Sequence, residues 1–369
     1  MTLEPGPEER ALLKEAAAKV VARIEALGIE AIVGGSYAKD TWVSGSREVD
    51  VFARFPAANE EELEAQVPAL FAAFPEAEHV HGSRTYLRAD IGGVTVEIIP
   101  IRPLTDDANT MDHSPDHITY VQKHLTSPND VRRLKSLLRE NRIYGAESHV
   151  RGFSGYVCEL LIIAYSTLEK LAQEAASWEE GTRVRFHDEG YAFEAVLIVE
   201  DPTDPRRNAA AAVDERAFRT FTKLMDHIRS GRDERSIIAP IEPPYVRVVM
   251  HGSHEKQDIS FAQLRTIHDR LERELEPFGV RDAQWHTNGS WESRFSLERT
   301  ELEPVQVRIG PPISIPDAVS AFTEHHPDAY EEDGRIIAQV ERTETHWKQI
   351  VDRVCAHPSV ASYTAEEVR

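Results

Sequence analysis

Between residues 10 and 27 the apolar positions Leu13, Ala17, Val20, Ile24 and Leu27 recur every three or four residues, the spacing that lines one face of a helix, and Gly28 ends the run. The pattern then changes to sheet. Glu30 to Val33 predicts a short strand, Gly34-Gly35-Ser36 a tight connection, Tyr37 to Trp42 a helical turn and Glu48 to Phe55 a strand of alternating character. An acidic helix from Glu60 to Phe74 precedes two further strands, Thr85 to Ile91 and Val94 to Pro100. This opening block predicts a compact α/β unit with mostly antiparallel pairing.

From Asn129 the pattern turns helical and basic, through Arg132, Arg133, Lys135, Arg139 and Arg142, and an apolar helix is expected from Tyr156 to Leu171. A strand pair near Thr182 to Val199 leads into the turn Asp201-Pro202-Thr203-Asp204-Pro205 and a helix from Glu215 to Ile228. Pro240, Pro243 and Pro244 then punctuate the chain. Beyond them strands and helices mix: strand Tyr245 to Met250, helix Phe261 to Leu275, strands near Gln284 and at Trp291 to Leu297, and strand Val305 to Arg308. Helix Pro316 to Glu324, strand Arg335 to Arg342 and a last helix from about Thr345 complete the pattern. The expected architecture is α+β and multidomain, with regions 1–125, 126–240 and 241–369.

Composition narrows the class. With 369 residues, 41% hydrophobic and 28% charged, the chain reads as globular, and no apolar run reaches a membrane span. The N-terminal residues lack the basic start and apolar middle of a signal peptide, so a cytoplasmic protein is expected. Two distant cysteines, Cys158 and Cys355, exclude a disulfide framework and a cysteine-based zinc site. The net charge is −21 and only nine of the 42 basic residues are lysine, so most of the surface repels phosphate. A nucleic-acid partner therefore needs a local basic groove.

The most informative chemistry lies in Gly34-Gly35-Ser36-Tyr37-Ala38-Lys39 followed by Glu48-Val49-Asp50-Val51. Strand alternation puts Glu48 and Asp50 on one face, with Val49 and Val51 in the core. Two carboxylates at one point repel each other unless a cation sits between them, and hard oxygen ligands suit Mg²⁺. The Gly35-Ser36 turn offers backbone N–H groups to a phosphate. A third acid, Glu97, shares a face with Thr95 while Val94, Val96 and Ile98 share the other. Read as chemistry, this is metal-dependent nucleotidyl transfer.

The head motif is common to many polymerase-beta-like nucleotidyltransferases. A longer signature narrows it: Arg133-Leu134-Lys135, then Asn141-Arg142-Ile143-Tyr144-Gly145-Ala146-Glu147 and Val150-Arg151-Gly152-Phe153-Ser154-Gly155-Tyr156-Val157-Cys158-Glu159. Together with Asp201-Pro202, Arg206-Arg207-Asn208 and Arg308-Ile309-Gly310-Pro311, these residues resemble the archaeal-type (class I) CCA-adding tRNA nucleotidyltransferases along essentially the whole chain. The resemblance implies a catalytic head at 1–125, a helical neck and body at 126–240 that reads the base, and a tRNA-binding tail at 241–369.

The resemblance also assigns residues. Glu48 and Asp50 match the first two metal-binding carboxylates, and Glu97 stands where the family has Asp. Gly35 and Ser36 match the triphosphate turn, and Lys39 replaces an Arg. Ser114 and His117 match a Thr-Pro-x-His element, Lys135 and Tyr144 match residues that hold the triphosphate, and Arg207 matches the base-reading arginine. Arg84 stands where the family has a His. The implied activity is template-independent, two-metal addition of CMP and AMP from CTP and ATP to the 3′ end of tRNA, with two Mg²⁺ at Glu48, Asp50 and Glu97 and release of pyrophosphate. The expected tRNA contacts are the acceptor stem and TΨC arm, met by the helix at 132–142 and by Arg342, His346, Trp347, Lys348 and Arg353, and a homodimer is compatible with the family. Two other readings share these residues. One is a poly(A) or oligoadenylate-type nucleotidyltransferase. The other, motivated by Glu97, Lys39 and Arg84, is a catalytically weakened RNA-binding module.

Overall fold

The computed structural model describes residues 3–81, 84–105, 109, 111–189, 191–232 and 237–369. The chain divides into two compact units, Met1–Ile238 and Ala239–Arg369. The expected regions 1–125 and 126–240 fall essentially within the first unit. Among the described residues no helix is long and apolar enough to cross a membrane.

The first unit begins with helix α1 (Pro7–Glu25), strand β1 (Glu30–Gly34), the single helical turn α2 (Gly35–Ala38) and β2 (Glu48–Arg54). Helix α3 (Glu60–Ala72) and strands β3 (Glu78–His81), β4 (Thr85–Asp90) and β5 (Thr95–Ile101) follow. The sheet has the order β1-β2-β5-β4-β3. All its pairings are antiparallel except that of β2 with β5, which run parallel with Asp50 opposite Glu97. Strand β3 is an element the sequence pattern does not announce, because Glu78-His79-Val80-His81 carries a single apolar residue.

Period-two alternation decides what each face of this sheet does. Val49, Val51, Val96 and Ile98 are fully buried against Leu13, Val20 and Ile24 of α1 and Leu63 and Leu70 of α3. On the opposite face, Phe52, Ile99 and Ile101 pack with Ile118 of helix α4 (Ser114–His124). Going back toward the start of β2 and β5, that second face changes from apolar to acidic, with Asp50 and Glu48 in one strand and Glu97 in the other. The apolar half anchors α4 and the acidic half is left at a cleft.

Helices α5 (Pro128–Glu140), α6 (Gly155–Tyr165) and α7 (Leu168–Ala175), strands β6 (Thr182–Val184), β7 (Leu197–Asp201) and β8 (Asp204–Asn208), and helix α8 (Glu215–Arg229) share a second core. The expected single helix from 156 to 171 is two: Ser166 takes a positive φ of 71° and the Thr167 side chain caps α7. The expected turn at 201–205 belongs to a hairpin of β7 and β8, with Arg207 on its second strand.

The second unit holds an antiparallel sheet in the order β10-β11-β9-β15 and a smaller one in the order β12-β14-β13. Their strands are β9 (Tyr245–Gly252), β10 (Val280–Thr287), β11 (Trp291–Leu297), β12 (Val305–Pro312), β13 (Tyr330–Glu332), β14 (Arg335–Glu341) and β15 (Val360–Val368). Helices α9 (Gln257–Glu274), α10 (Pro316–His325) and α11 (Trp347–Cys355) accompany them. Trp285, Trp291, Phe261 and Phe295 form its aromatic centre.

Phe221 of α8 is completely buried and stacks on Phe153 with ring centroids 4.4 Å apart. Phe221→Ala is expected to destabilise the first unit by about 3–5 kcal/mol through lost burial and an unfilled cavity, read as a lowered urea midpoint.

Candidate active site

Glu48, Asp50 and Glu97 each place a carboxylate oxygen within 4.8 Å of the other two. Burial pushes the Asp50 carboxyl up to about 7, with further upward pressure from Glu97 and then Glu48 and an opposing pull from Lys39. Glu48 is raised as well, by desolvation first and by Glu97 second. Three hard oxygen donors held this close fit a divalent cation, which would relieve their repulsion. Arg88, cross-strand from Glu97, donates to Glu97 Oε1 from Nε at 3.1 Å and Nη2 at 2.8 Å and holds the longer side chain in place.

The glycine turn touches this cluster. Gly35 has φ +61°, and a Cβ there would lie 1.6 Å from Asp50 Oδ2, so only glycine lets the turn approach. Because α2 is a single turn, its contribution to an anion comes from free N–H groups and little from a macrodipole.

A cleft of about 330 Å³ is lined by Gly35, Lys39, Asp50, Ser114, His117 and Arg207, together with Phe52, Ile99, Met111, Ile118, Ser154 and Tyr156. It gathers six of the sequence-predicted residues. Ser36 sits in the turn beside it. Glu48 and Glu97 belong to the same carboxylate cluster as Asp50 without lining the cleft.

Lys135 and Tyr144 lie behind it. Lys135 is 1% exposed, and its Nζ donates to the Thr41 carbonyl at 3.1 Å, to Thr41 Oγ1 at 3.1 Å and to Glu159 Oε1 at 3.2 Å. Lys39 Nζ donates to the other Glu159 oxygen at 2.5 Å. Burial pushes the Lys135 ammonium down, while Lys39 and Lys135 outweigh burial and hold Glu159 below the usual carboxylate range. The Tyr144 hydroxyl would lie 3.0 Å from a Cβ on Gly155, and the Lys135 stem 3.4 Å from it, so both sit under the start of α6. Arg132, also buried, donates to the carbonyls of Asp40 and Trp42. Helix α5 thus clamps the segment that follows the glycine turn.

Asp201, fully buried, accepts from His117 Nε2 at 3.0 Å, the Tyr156 hydroxyl at 3.0 Å, Thr203 and Arg207. These donors outweigh burial and hold Asp201 well below the usual carboxylate range, and burial keeps His117 low. Sequence reasoning missed Asp201, Tyr156 and Glu159 as site residues. The available signal was an acid, or a tyrosine, inside an otherwise apolar stretch.

The expected basic surfaces are largely neutralised. Besides the burial of Arg132 and Lys135, Arg133 pairs with Asp130 and Glu169. In the second unit Arg353 pairs with Glu274 and Glu344, Lys348 lies 3.4 Å from Asp352, and Trp347 is in the core. Arg84 is a buried partner of Asp112 and Glu60, a contact that braces β4.

Comparison with known proteins gives a consistent set of likenesses. The family model described as tRNA nucleotidyltransferase, second domain, matches residues 129–235. The CCA-adding enzyme of Pyrobaculum islandicum is 31% identical over 352 residues, covering 88% of this chain and 83% of that protein. The CCA-adding enzyme of Halobacterium salinarum is 29% identical over 360 residues, covering 88% and 79%. Among solved structures, the Cid1 poly(U) polymerase with Mg and 3′-dATP bound has a TM-score of 0.50 at 11% identity, covering 62% of this chain and 90% of that one. That likeness concerns the polymerase-beta-like fold alone.

Two outcomes test the electrostatics. Glu159→Gln leaves two ammonium groups without their counter-ion and is expected to cost about 3–5 kcal/mol, read as a drop in thermal midpoint. Asp50 has a higher pKa folded than unfolded, so its contribution is fully present below pH 4 and is lost as pH rises through about 7. In chelator, the stability of Asp50→Asn should therefore fall less than that of the unmodified protein between pH 4 and pH 8, measured by urea titration.

Proposed function

The chain belongs to the archaeal-type CCA-adding enzymes, the tRNA nucleotidyltransferases, and from that premise we propose that the cleft beside Glu48, Asp50 and Glu97 is where nucleotides are joined to the tRNA 3′ end. The observation that carries this reading is the convergence of the three carboxylates beside a glycine turn that only glycine can form.

The family uses divalent metal, and we read it as two Mg²⁺ that Glu48, Asp50 and Glu97 would hold. Bound there, they would supply positive charge to the attacking 3′ oxygen and the transferring phosphoryl group. Glu97, in the place of the family's Asp, carries one more methylene, and Arg88 supports the longer side chain by fixing one of its oxygens.

The substrates are tRNA and nucleoside triphosphates, which we specify as CTP and ATP. The N–H groups of the Gly35-Ser36 turn and the ammonium of Lys39 are suited to the β- and γ-phosphates, a positioning and electrostatic role. Ser114 borders the same cleft with a hydroxyl. The Lys135 ammonium is spent on Thr41 and Glu159, so its part is to hold the counter-ion of Lys39 and the segment around Thr41. Tyr144 supports that arrangement from beneath α6.

Arg207 reads the base. Its guanidinium donors satisfy the acceptors of cytosine O2 and N3 or adenine N1, whereas the Watson–Crick N–H groups of guanine and uracil meet another donor. We further read the tRNA contacts as the acceptor stem and TΨC arm, the site of action as the cytoplasm, and a homodimer as compatible with the family.

Incubation with tRNA lacking its CCA end, labelled CTP and MgCl₂ tests the reading. Incorporation should be abolished in Asp50→Asn. Arg207→Ala should retain its fold but lose rate and discrimination against UTP. Absence of incorporation at every salt concentration would favour an RNA-binding role, and ATP addition without CTP addition a poly(A)-type activity.

A further inference from the structure

Three elements meet at one buried carboxylate. Asp201 ends β7, its side chain accepts from His117 on α4 and from Tyr156 on α6, and it also accepts from Arg207 on the neighbouring strand β8. Thr203 closes the turn with its N–H and its hydroxyl, each 2.9 Å from Asp201 Oδ1. His187 donates to the Asp201 backbone carbonyl from Nε2 at 2.7 Å, which fixes the strand end itself. The His117 ring stacks on Tyr156 at 4.2 Å, and the Arg207 guanidinium lies 5.9 Å from the same ring.

We propose that Asp201 is the positioning residue for base selection: it fixes the guanidinium plane of Arg207, so that the edge left free is the one presented to the incoming base. This rests on the reading of Arg207 given above.

The physical reason lies in what an untethered arginine would do. Its five donors match phosphate oxygens as well as they match a base edge. In a cleft that admits a triphosphate, a free guanidinium would be drawn to the polyanion and would accept any base. Asp201 engages Nη1, and the remaining donors keep one orientation. A carboxylate can do this only if its own position is fixed, and that is the service of His117, Tyr156 and Thr203. Discrimination then comes from a rigid donor edge that leaves the N–H of a wrong base unpaired.

The test compares unmodified protein, Asp201→Asn, Arg207→Ala and the double variant. For each, kcat/KM is measured for CTP and for UTP on tRNA lacking CCA, with circular dichroism and tRNA affinity recorded alongside. Asp201→Asn, which keeps the shape and removes the charge, should lower the CTP-to-UTP ratio by about tenfold or more. The double variant should show no loss beyond that of Arg207→Ala. An unchanged ratio in Asp201→Asn while Arg207→Ala loses its own, or losses that multiply in the double variant, would overturn the positioning role alone. An unchanged ratio in Arg207→Ala would remove the base-reading assignment and this proposal with it. If Asp201→Asn does not fold, Tyr156→Phe takes its place, since it removes one donor to the carboxylate. Its ratio should fall by about threefold, again only when Arg207 is present, and an unchanged ratio would overturn the proposal.

Discussion

Like charges held close together are the constraint on which the first unit depends. Asp50 and Glu97 face each other across a parallel strand pair, and Glu48 stands two residues along the same face. Among the described residues that repulsion is relieved only in part: Arg88 takes one oxygen of Glu97, and Lys39 acts on Asp50 from a distance. The strands stay paired because their other face is buried hydrocarbon, and the apolar half of the acidic face is held down by α4. Packing energy thus keeps together three groups that electrostatics alone would separate, and a site in that condition takes up cations readily.

Around this cluster the charge relations are reversed. Glu159 and Asp201 are single buried anions, each surrounded by several donors. Glu159 collects Lys39, Lys135 and Thr41, and Asp201 collects His117, Tyr156, Thr203 and Arg207. A buried carboxylate saturated by protein donors fixes its partners in direction as well as in place, because every donor lost leaves part of its charge unsatisfied. One such anion fixes Lys39 beside the glycine turn and the other fixes Arg207. Glu159 lies on α6 and Asp201 at the end of β7, and Tyr156 of α6 donates to Asp201.

Much of the acidic face was legible from residue order. Glu48 and Asp50 share a side because alternation leaves no other choice with Val49 and Val51 in the core, and Glu97 follows from the same logic in β5. The Gly35 turn was legible as well, because a Gly-Gly-Ser run between two strands supplies the residue type that can take a positive φ in a tight connection. Other residues were not. Lys135 sits in a basic helix whose polar positions look alike from the sequence, and which of them faces inward depends on where the segment around Thr41 is laid against α5. The tail arginines looked like a positive surface, but Arg353 meets Glu274 from a helix far away in the chain. The break at Ser166 was marked only by the polar pair Ser166-Thr167, short enough to pass for the solvent side of one continuous helix because apolar residues flank it on both sides.

Local order along the chain therefore determined the strands, their buried and exposed faces and the identity of the acids, since these follow from backbone periodicity and burial within a few residues. The tertiary structure alone decided that β2 takes β5, not β3 or β4, as its second neighbour beside β1, that Lys39 and Lys135 share Glu159, and that Asp201 reaches α4, α6 and β8 together. Those are choices between distant partners of equal local merit, and only packing of the whole unit excludes water from one set of them.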